Sequence, residues 1–346
     1  MDEENVRYNA VDSDGEEIVS TFLTRDHDIL KQISKESEIV GLKRCGLMTK
    51  NGITLHVISE NQSHIASSRV FKKDVVAFAI VINSVKSELK EQRENIVRST
   101  KRFVHNVVSL NAKNIQEIHS IVPQERVSGA INQHLEVVKG SISEDLQAAA
   151  LATLKVAKNN AAIKVEIAVF NKLIDSNPNL TKRKHNAHKV FMNVYYMFSS
   201  DFTDRSIRVE INATEICEAY FDYESVQVAL YHLLDNAVKY AMRDSELVVS
   251  IFAKEDRVFV TLEMTSLKIE NTEKDQIFEE GYSGTIPTQL KTSGDGLGMY
   301  IAKRLLRLNN SELLVETEST DTIPVMGVPY NRNKFCLILP LAYSNT

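Results

Sequence analysis

Apolar residues recur at helical spacing through the middle of the chain. Residues 71–122 contain neither proline nor glycine, and valine and isoleucine repeat at helical spacing until Pro123 interrupts the pattern. An alanine-rich run with the same period extends from Ser143 to Ile174, where the sequence DSNPN follows. The pattern predicts two long amphipathic helices joined as a hairpin within residues 71–178. Because one hairpin cannot bury both apolar stripes, it also predicts a homodimer that forms a four-helix bundle.

The pattern changes after a polar linker at residues 178–186. Helical and strand periods then alternate towards the end of the chain. The predicted helices cover 187–200, 223–242, 272–279 and 297–308, and the predicted strands cover 206–211, 214–217, 246–253, 257–264, 311–318 and 333–340. Such a mixture indicates a further domain at 187–346, built as a sheet with helices on one face.

Residues 1–70 combine polar stretches with short strand-like runs. In GLMTKNGITLHVI, Asn51-Gly52 suits a type I′ turn between two strands of alternating polarity. We therefore expect a small α/β or mostly β module of unknown role at the N-terminus.

Composition describes an ordinary globular protein. The 346 residues, 43% hydrophobic and 25% charged, favour two or three domains. A net charge of −5 gives no reason to expect nucleic acid, and the three separated cysteines exclude a disulfide framework or a cysteine-rich zinc site. The start, MDEEN, lacks the features of a signal peptide, and the longest apolar run, 75–82, is too short to span a membrane. We therefore expect a cytoplasmic protein without a membrane span.

Two segments in the C-terminal half carry candidate chemistry. The first, SGDGLGMYIAKRLLRLN, places Gly294, Gly296 and Gly298 directly before a predicted helix. Glycines let a phosphate approach the backbone closely, and a helix N-terminus offers free N–H groups. A flexible turn that permits a tight contact between helix and sheet is the alternative explanation.

The second segment, HLLDNAVKYA, places Asn236 and Lys239 on one helix face with Tyr240 available to pack beside them. An asparagine carbonyl oxygen suits Mg²⁺, and a lysine one turn further on neutralises phosphate charge. Each residue alone also fits an ordinary helix surface. Together with the glycine loop they favour a nucleotide site.

These segments resemble the ATP-binding domain of sensor histidine kinases, which belongs to the ATPase superfamily of gyrase, Hsp90 and MutL. HLLDNAVKYA is similar to the family's asparagine box, IFEEGYSG to its phenylalanine box and the start of its lid, and GDGLGMYIAKRLL to its second glycine box. The hairpin resembles the family's dimerisation and phosphotransfer domain, so the likeness covers roughly residues 95–340. It implies an α+β fold, in which a long helical hairpin forming a dimeric four-helix bundle precedes an α/β sandwich.

The resemblance implies that the C-terminal domain binds ATP and Mg²⁺. The residues that would hold the nucleotide are Asn236, Lys239, Tyr240, Phe278, Gly294, Gly296, Leu297 and Gly298. Asn236 would bind Mg²⁺, Lys239 would contact phosphate, and the three glycines would let the lid and the following helix wrap the triphosphate. Phe278 would anchor the lid, with plain core packing as its equal alternative.

By the same resemblance, the phosphoacceptor lies on the first long helix. In RFVHNVVSLNAKNIQEIHS, His105 adjoins the apolar stripe and shares a more accessible face with Ser109. A neutral imidazole is nucleophilic near pH 7. We predict that His105 is the phosphoacceptor, that Asn106 orients its ring, and that Ser109 either positions a water for dephosphorylating the partner or is simply a small surface residue.

Two positions depart from the family's pattern. The residue after the phosphoacceptor is usually Asp or Glu, which takes the imidazole proton; Asn106 cannot, so transfer would be slow or use another base. The Asp that reads adenine in the first glycine box aligns with Met264. Adenine selectivity is therefore not expected unless Glu263 or Thr265 supplies another acceptor.

We expect a homodimer that autophosphorylates His105 with ATP and passes the phosphoryl group to an aspartate on a response-regulator receiver domain. The alternative is a non-catalytic or phosphotransfer-only dimeric scaffold with a degenerate nucleotide pocket. Asn106 and Met264 favour the scaffold, whereas Asn236, Lys239 and the glycine loop favour the kinase. A chaperone or topoisomerase ATPase of the same superfamily is less consistent with the helical hairpin.

Overall fold

The computed structural model describes residues 5–30, 33–126, 131–174, 178–213, 215–318 and 322–342. Its helices are α1 (His27–Leu30), α2 (Gln62–Ala66), α3 (Ser68–Ile121), α4 (Ile131–Glu144), α5 (Leu146–Ile174), α6 (Ala187–Tyr195), α7 (Ser199–Asp204), α8 (Tyr223–Tyr240), α9 (Thr285–Gln289) and α10 (Gly298–Leu308). Its strands are β1 (Val6–Asp12), β2 (Glu17–Ser20), β3 (Glu38–Val40), β4 (Lys43–Lys50), β5 (Ile53–Ser59), β6 (Lys182–Asn186), β7 (Arg208–Asn212), β8 (Glu218–Asp222), β9 (Glu246–Lys254), β10 (Arg257–Leu267), β11 (Glu312–Thr317), β12 (Ile323–Val325) and β13 (Val328–Pro340). The fold is α+β, and the chain divides into two compact units, Met1–Arg98 and Ser99–Thr346.

The first unit is a five-stranded antiparallel sheet in the order β2-β1-β5-β4-β3. The predicted hairpin is confirmed, because Asn51 and Gly52 join β4 to β5 with φ angles of 51° and 73°, as a type I′ turn requires. The first turns of α3 pack on the sheet through Phe71 and Val75. A Cβ atom on Gly46 would lie 2.6 Å from the Phe71 ring, so helix and sheet are in close contact there.

In the second unit, α3 and α5 run antiparallel and form the predicted helical hairpin. The rings of Phe103 and Phe170 stack with their centroids 4.4 Å apart. Further along, Asn114 Nδ2 donates to Asn160 Oδ1 at 3.1 Å. None of the described helices combines the length and the apolarity that a membrane crossing requires.

The predicted start of the second long helix was wrong by a few residues. The sequence pattern predicted that one helix begins near Ser143. In the structure, α4 ends at Glu144 and α5 begins at Leu146. Asp145 separates them, because its carboxylate accepts a hydrogen bond from the Ala148 N–H at 2.8 Å and caps α5. Helix α4 was not predicted, because nearly all of its residues fall in the stretch that was interpreted as the connection between the two long helices.

The C-terminal part of the second unit is a sheet in the order β11-β13-β10-β9-β7, with β12 paired to β13. The β7–β9 pair is parallel and the other pairs are antiparallel. Residues of α6, α8 and α10 share one buried cluster with β9, β10 and β13. The arrangement confirms the predicted sheet covered by helices and places α8 and the start of α10 beside β10.

Several predicted boundaries in this part differ from the structure. Residues 182–186, predicted as linker, form β6, which pairs with β8 in a separate two-stranded sheet. The strand predicted at 214–217 is β8, at Glu218–Asp222, and residue 214 lies outside the described residues. The polar run KRKHN gave no strand period because Lys184 lies on the surface, where its Nζ pairs with Glu218 at 2.6 Å.

Two predicted helices are shorter than expected. The segment predicted at 187–200 divides into α6 and α7. The helix predicted at 272–279 is two single 3₁₀ turns, Asn271–Glu273 and Gln276–Phe278. Reciprocal hydrogen bonds between Glu270 and Glu273 close the first turn, and they restrict this acidic segment to one turn.

Candidate functional site

A cavity of about 300 Å³ lies among α8, the glycine loop before α10, strand β10 and the helical hairpin. Eight residues singled out from the sequence line it: Asn106, Asn236, Lys239, Tyr240, Gly294, Gly296, Leu297 and Gly298. The other three, His105, Ser109 and Phe278, are not among its lining residues. His105 and Ser109 are exposed on α3.

The glycine loop combines an open backbone with tight packing. Gly296 has φ +67°, and a Cβ atom there would lie 2.4 Å from the carbonyl oxygen of Tyr282, so only glycine fits the turn. A Cβ atom on Gly298 would lie 3.2 Å from His232 Nδ1, which brings α10 close to α8. No atom lies within 4 Å of the Cβ position of Gly294, which leaves its backbone accessible. The tight contact is therefore present at Gly296 and Gly298, whereas the approach of a phosphate at Gly294 stays a prediction.

The N-terminus of α10 presents uncapped backbone N–H groups at the cavity. Its N-cap residue, Leu297, makes no side-chain capping hydrogen bond, and Leu297, Gly298 and Met299 line the cavity. Free N–H groups and the positive end of the helix dipole favour an anion at this position. We therefore predict that the glycine-loop side is the anion-binding end of the cavity.

Helix α8 supplies the polar wall. Its lining residues follow helical spacing along one side: His232, Asp235, Asn236, Lys239 and Tyr240. Lys239 Nζ lies 2.6 Å from Asp235 Oδ2, so the lysine predicted to contact phosphate is already paired within its own helix. Burial raises the pKa of Tyr240, against a hydrogen bond from the Gly294 backbone.

His232 is a lining residue that the sequence analysis missed. Its Nε2 atom is buried without a hydrogen-bond partner among the described residues. Burial lowers the pKa of the imidazole to about 4, so His232 is neutral at pH 7. The sequence offered one signal for His232, its position one helical turn before Asn236. A histidine at that position does not by itself indicate a particular chemistry.

The opposite end of the cavity is apolar and is formed by β10 and its neighbours. Met264 is 3% exposed and belongs to the buried cluster of this domain. Ser266, on the same face, accepts a hydrogen bond from Asn333 Nδ2 at 2.8 Å. Glu263 and Thr265 do not line the cavity, because alternate residues of a strand face opposite sides. Glu263 pairs with Arg332 instead. Neither residue is therefore placed to supply the replacement acceptor that the sequence analysis left open.

The helical hairpin closes the cavity on the glycine-loop side. Its lining residues are Arg102 and Asn106 of α3 and Glu166 and Val169 of α5. Burial raises the pKa of Glu166, whereas a hydrogen bond with Asn106 and the charge of Arg102 act to lower it. Sequence reasoning identified Asn106 but missed Arg102 and Glu166, because only the packing of the hairpin on α8 and α10 brings them to the site.

A buried carboxylate holds the segment that the resemblance identifies as the start of the lid. Glu273 Oε1 accepts hydrogen bonds from the Tyr282 hydroxyl and the Thr285 N–H, both at 2.8 Å, and from Thr285 Oγ1 at 2.7 Å. Burial alone would raise the pKa of Glu273, but these bonds and one from the Glu270 N–H lower it. The carboxylate therefore fixes the segment that follows the 3₁₀ turns.

Phe278 lies in the core beside this segment. Its side chain is 6% exposed, and Lys303 Nζ lies 4.1 Å from the centre of its ring. The neighbouring Ile277 lines the cavity instead. Core packing is thus present at Phe278, and its contribution to the lid remains a prediction.

The oxygen donors of the cavity fit a hydrated divalent cation rather than a protein-enclosed metal. Among the described residues, no group of three or more His, Cys, Asp or Glu side chains could hold a metal ion. Mg²⁺ usually keeps several waters and binds one or two protein oxygens together with phosphate. The amide oxygen of Asn236, beside the anion-binding end, satisfies that requirement.

Comparison with known proteins finds similarities in this part of the chain. Residues 221–342 match the family described as histidine kinase-, DNA gyrase B-, and HSP90-like ATPase. The histidine protein kinase SaeS of Staphylococcus aureus strain USA300 is 28% identical over 113 residues, which cover 32% of this chain and 32% of that kinase. SaeS of strain MRSA252 is 27% identical over 113 residues. The chain therefore spans about a third of the length of these curated relatives.

Solved structures of histidine kinases also align with parts of the chain. The mycobacterial sensor histidine kinase MprB aligns over 47% of this chain and 100% of its own, with 16% identity and a TM-score of 0.39. Full-length ShkA in complex with AMPPNP aligns over 72% of this chain and 46% of its own, with 14% identity and a TM-score of 0.46. By the family match, residues 221–342 resemble the ATPase domains of histidine kinases, DNA gyrase B and HSP90.

Proposed function

We propose that this protein is a cytoplasmic, dimeric histidine kinase that transfers the γ-phosphoryl group of ATP to His105 and then to an aspartate on a response-regulator receiver domain. The observation that carries the proposal is the convergence of Asn236, the glycine loop and the uncapped start of α10 on one cavity of the ATPase domain. The curated relatives, over the third of their length that is covered, are histidine protein kinases.

We assign distinct roles to the proposed residues in the cavity. Bound at Asn236, Mg²⁺ would neutralise phosphate charge. Lys239 and the N–H groups of α10 would hold the phosphates, and the apolar end at Met264 would receive the base. Tyr240 would hold the glycine loop through its bond with the Gly294 backbone.

In the transfer step, a neutral His105 nitrogen would attack the γ-phosphorus while the bond to the ADP oxygen breaks. The imidazole then loses its N–H proton to a base, which Asn106 cannot be. His105 does not line the cavity of its own chain, so transfer requires the cavity of a second subunit or a rearrangement of the hairpin.

Exposed apolar side chains on the hairpin support the dimer. Those at least 37% exposed on α3, α4 and α5 in the second unit are Val104, Val108, Ile115, Ile118, Leu135, Ile142, Leu146, Leu151, Leu154 and Ile167. On α3 these residues recur at helical spacing and so form a stripe, which a second hairpin would cover in a four-helix bundle.

A dimeric scaffold without catalysis is the second candidate. The buried Met264 removes the acceptor that would select adenine, and Asn106 removes the usual base. In this alternative, Met264 closes a disused cavity as a core methionine.

Calorimetric titration with ATP and GTP, each with and without Mg²⁺, separates the two candidates. We expect weak Mg²⁺-dependent binding with little discrimination, because loss of one hydrogen bond to a charged acceptor weakens ATP about ten- to a hundredfold. Asn236→Ala should remove the Mg²⁺-dependent part and leave the dimer intact. Absence of binding by both nucleotides would support the scaffold.

A further inference from the structure

The hairpin reaches the cavity at its anion-binding end. Val169 of α5 shares a buried cluster with Ile301 of α10. Glu166 lies near enough to the glycine loop for the charge of Asp295 to raise its pKa. The apolar end at Met264 is built by β10 instead. A nucleotide with its base at the apolar end therefore extends its phosphates towards the hairpin.

Among the described residues, the charges that line the cavity leave one cation without a salt bridge or hydrogen bond to a carboxylate. The lining cations are Arg102, Lys239 and Lys268, and the lining carboxylates are Glu166, Asp235, Glu273 and Asp295. Lys239 is paired with Asp235 at 2.6 Å, and Lys268 with Glu270 at 2.7 Å. Within the described ranges, the Arg102 guanidinium has no hydrogen-bond or ion-pair partner. Arg102 is thus the lining cation that is available to an incoming anion.

We propose that Arg102 binds the terminal phosphate of a nucleoside triphosphate, so that the phosphoacceptor helix itself supplies part of the nucleotide site. This inference rests on the proposed function. The guanidinium fork matches two phosphate oxygens, which strengthens such contacts. Arg102 lies three residues before His105, so its contact places the terminal phosphate about one helical turn from the predicted acceptor, which itself does not line this cavity.

Glu166 modulates this contact from the second hairpin helix. Its carboxylate lines the same wall as Arg102 and attracts the guanidinium electrostatically. A terminal phosphate replaces that attraction and is repelled by the same carboxylate. The two residues therefore act in opposite directions on a triphosphate and have little effect on a diphosphate, which ends before the hairpin.

The test compares ATP and ADP affinities of the full chain by calorimetry with Mg²⁺. Arg102→Ala should weaken ATP binding about ten- to a hundredfold and change ADP binding less than about twofold. Arg102→Lys should give an intermediate loss, since it keeps the charge without the fork. Lys101→Ala is the matched control, because Lys101 is an exposed cation on the same helix outside the cavity. Glu166→Gln should strengthen ATP binding severalfold and leave ADP unchanged.

Circular dichroism melting shows whether each variant is folded, and Arg102→Lys replaces Arg102→Ala if the latter is not. Equal losses for ATP and ADP, or no loss for either, would overturn the role of Arg102 while leaving the proposed function in place. Failure of the unmodified protein to bind any nucleotide would overturn the proposed function and this inference together.

Discussion

The neutral imidazole of His232 makes a pH-dependent contribution to stability. Its pKa is lowered by burial to about 4, with Asp235 raising it and Lys239 lowering it, whereas an unfolded histidine titrates near its ordinary 6.5. Between these values the unfolded chain binds the proton and the folded chain does not. The stabilisation is therefore complete above about pH 6.5 and is lost as pH falls towards 4.

We expect this residue to lower the free energy of unfolding by about 2 kcal/mol between pH 7 and pH 5. His232→Asn should reduce that loss, because asparagine does not titrate. Urea unfolding at the two pH values measures the difference between the variant and the unmodified protein. An unchanged difference would show that His232 is protonated, or accessible to water, in the folded state.

At the residue scale, the sequence predicted the parts of the site that follow one another along the chain. Asn236, Lys239 and the glycines lie in two short segments, and helical spacing brings the α8 residues to one face. Arg102 and Glu166 could not be predicted, because no local pattern distinguishes a charged residue that faces a cavity from one that faces water. Their role depends on which helix faces pack together.

At the scale of elements, a buried ion pair joins α5 to the start of α8. Lys172 Nζ lies 2.6 Å from Asp222 Oδ1, and the two side chains are 8% and 6% exposed. Asp222 is also the N-cap of α8, where it accepts hydrogen bonds from Ser225. Burial alone would raise the pKa of Asp222, but Lys172 and Ser225 hold it below its usual range.

Lys172→Ala should lower the free energy of unfolding by about 3 kcal/mol, because it leaves a buried carboxylate without its countercharge. Lys155→Ala on the same helix is the control, since its pair with Glu117 spans 3.4 Å and the lysine side chain is 58% exposed. The control should lose less than about 1 kcal/mol. Similar losses in guanidinium unfolding would contradict a special role for the buried pair.

Helices and strands were predicted correctly where they bury one continuous apolar face. The predictions failed where polar groups determine the boundary or the pairing of an element. The long period of α3 and the alternation of β10 are visible in the sequence, and both elements were predicted. The break at Asp145 and the pairing of β6 with β8 depend on single caps and on a partner strand. Hydrophobic periodicity contains no signal for either.

At the scale of the whole molecule, we predict a homodimer whose subunits associate through the helical hairpin. Ile115→Glu and Leu154→Glu place charge on side chains that are 47% and 56% exposed in the single chain, so each should weaken the dimer without disturbing the monomer. Asn111→Glu, at an exposed polar position of α3, is the control. Light scattering at micromolar concentration measures the molecular mass. A monomeric unmodified protein would contradict the predicted four-helix bundle.

Phosphoryl transfer from ATP to His105 is measured most directly by incubating the full chain with γ-labelled ATP and Mg²⁺. We expect acid-labile, base-stable label that is absent in His105→Ala and retained in His119→Ala, a variant of another histidine on α3. Equal label in His105→Ala would contradict phosphoryl transfer to His105, because the phosphoryl group would then reside elsewhere.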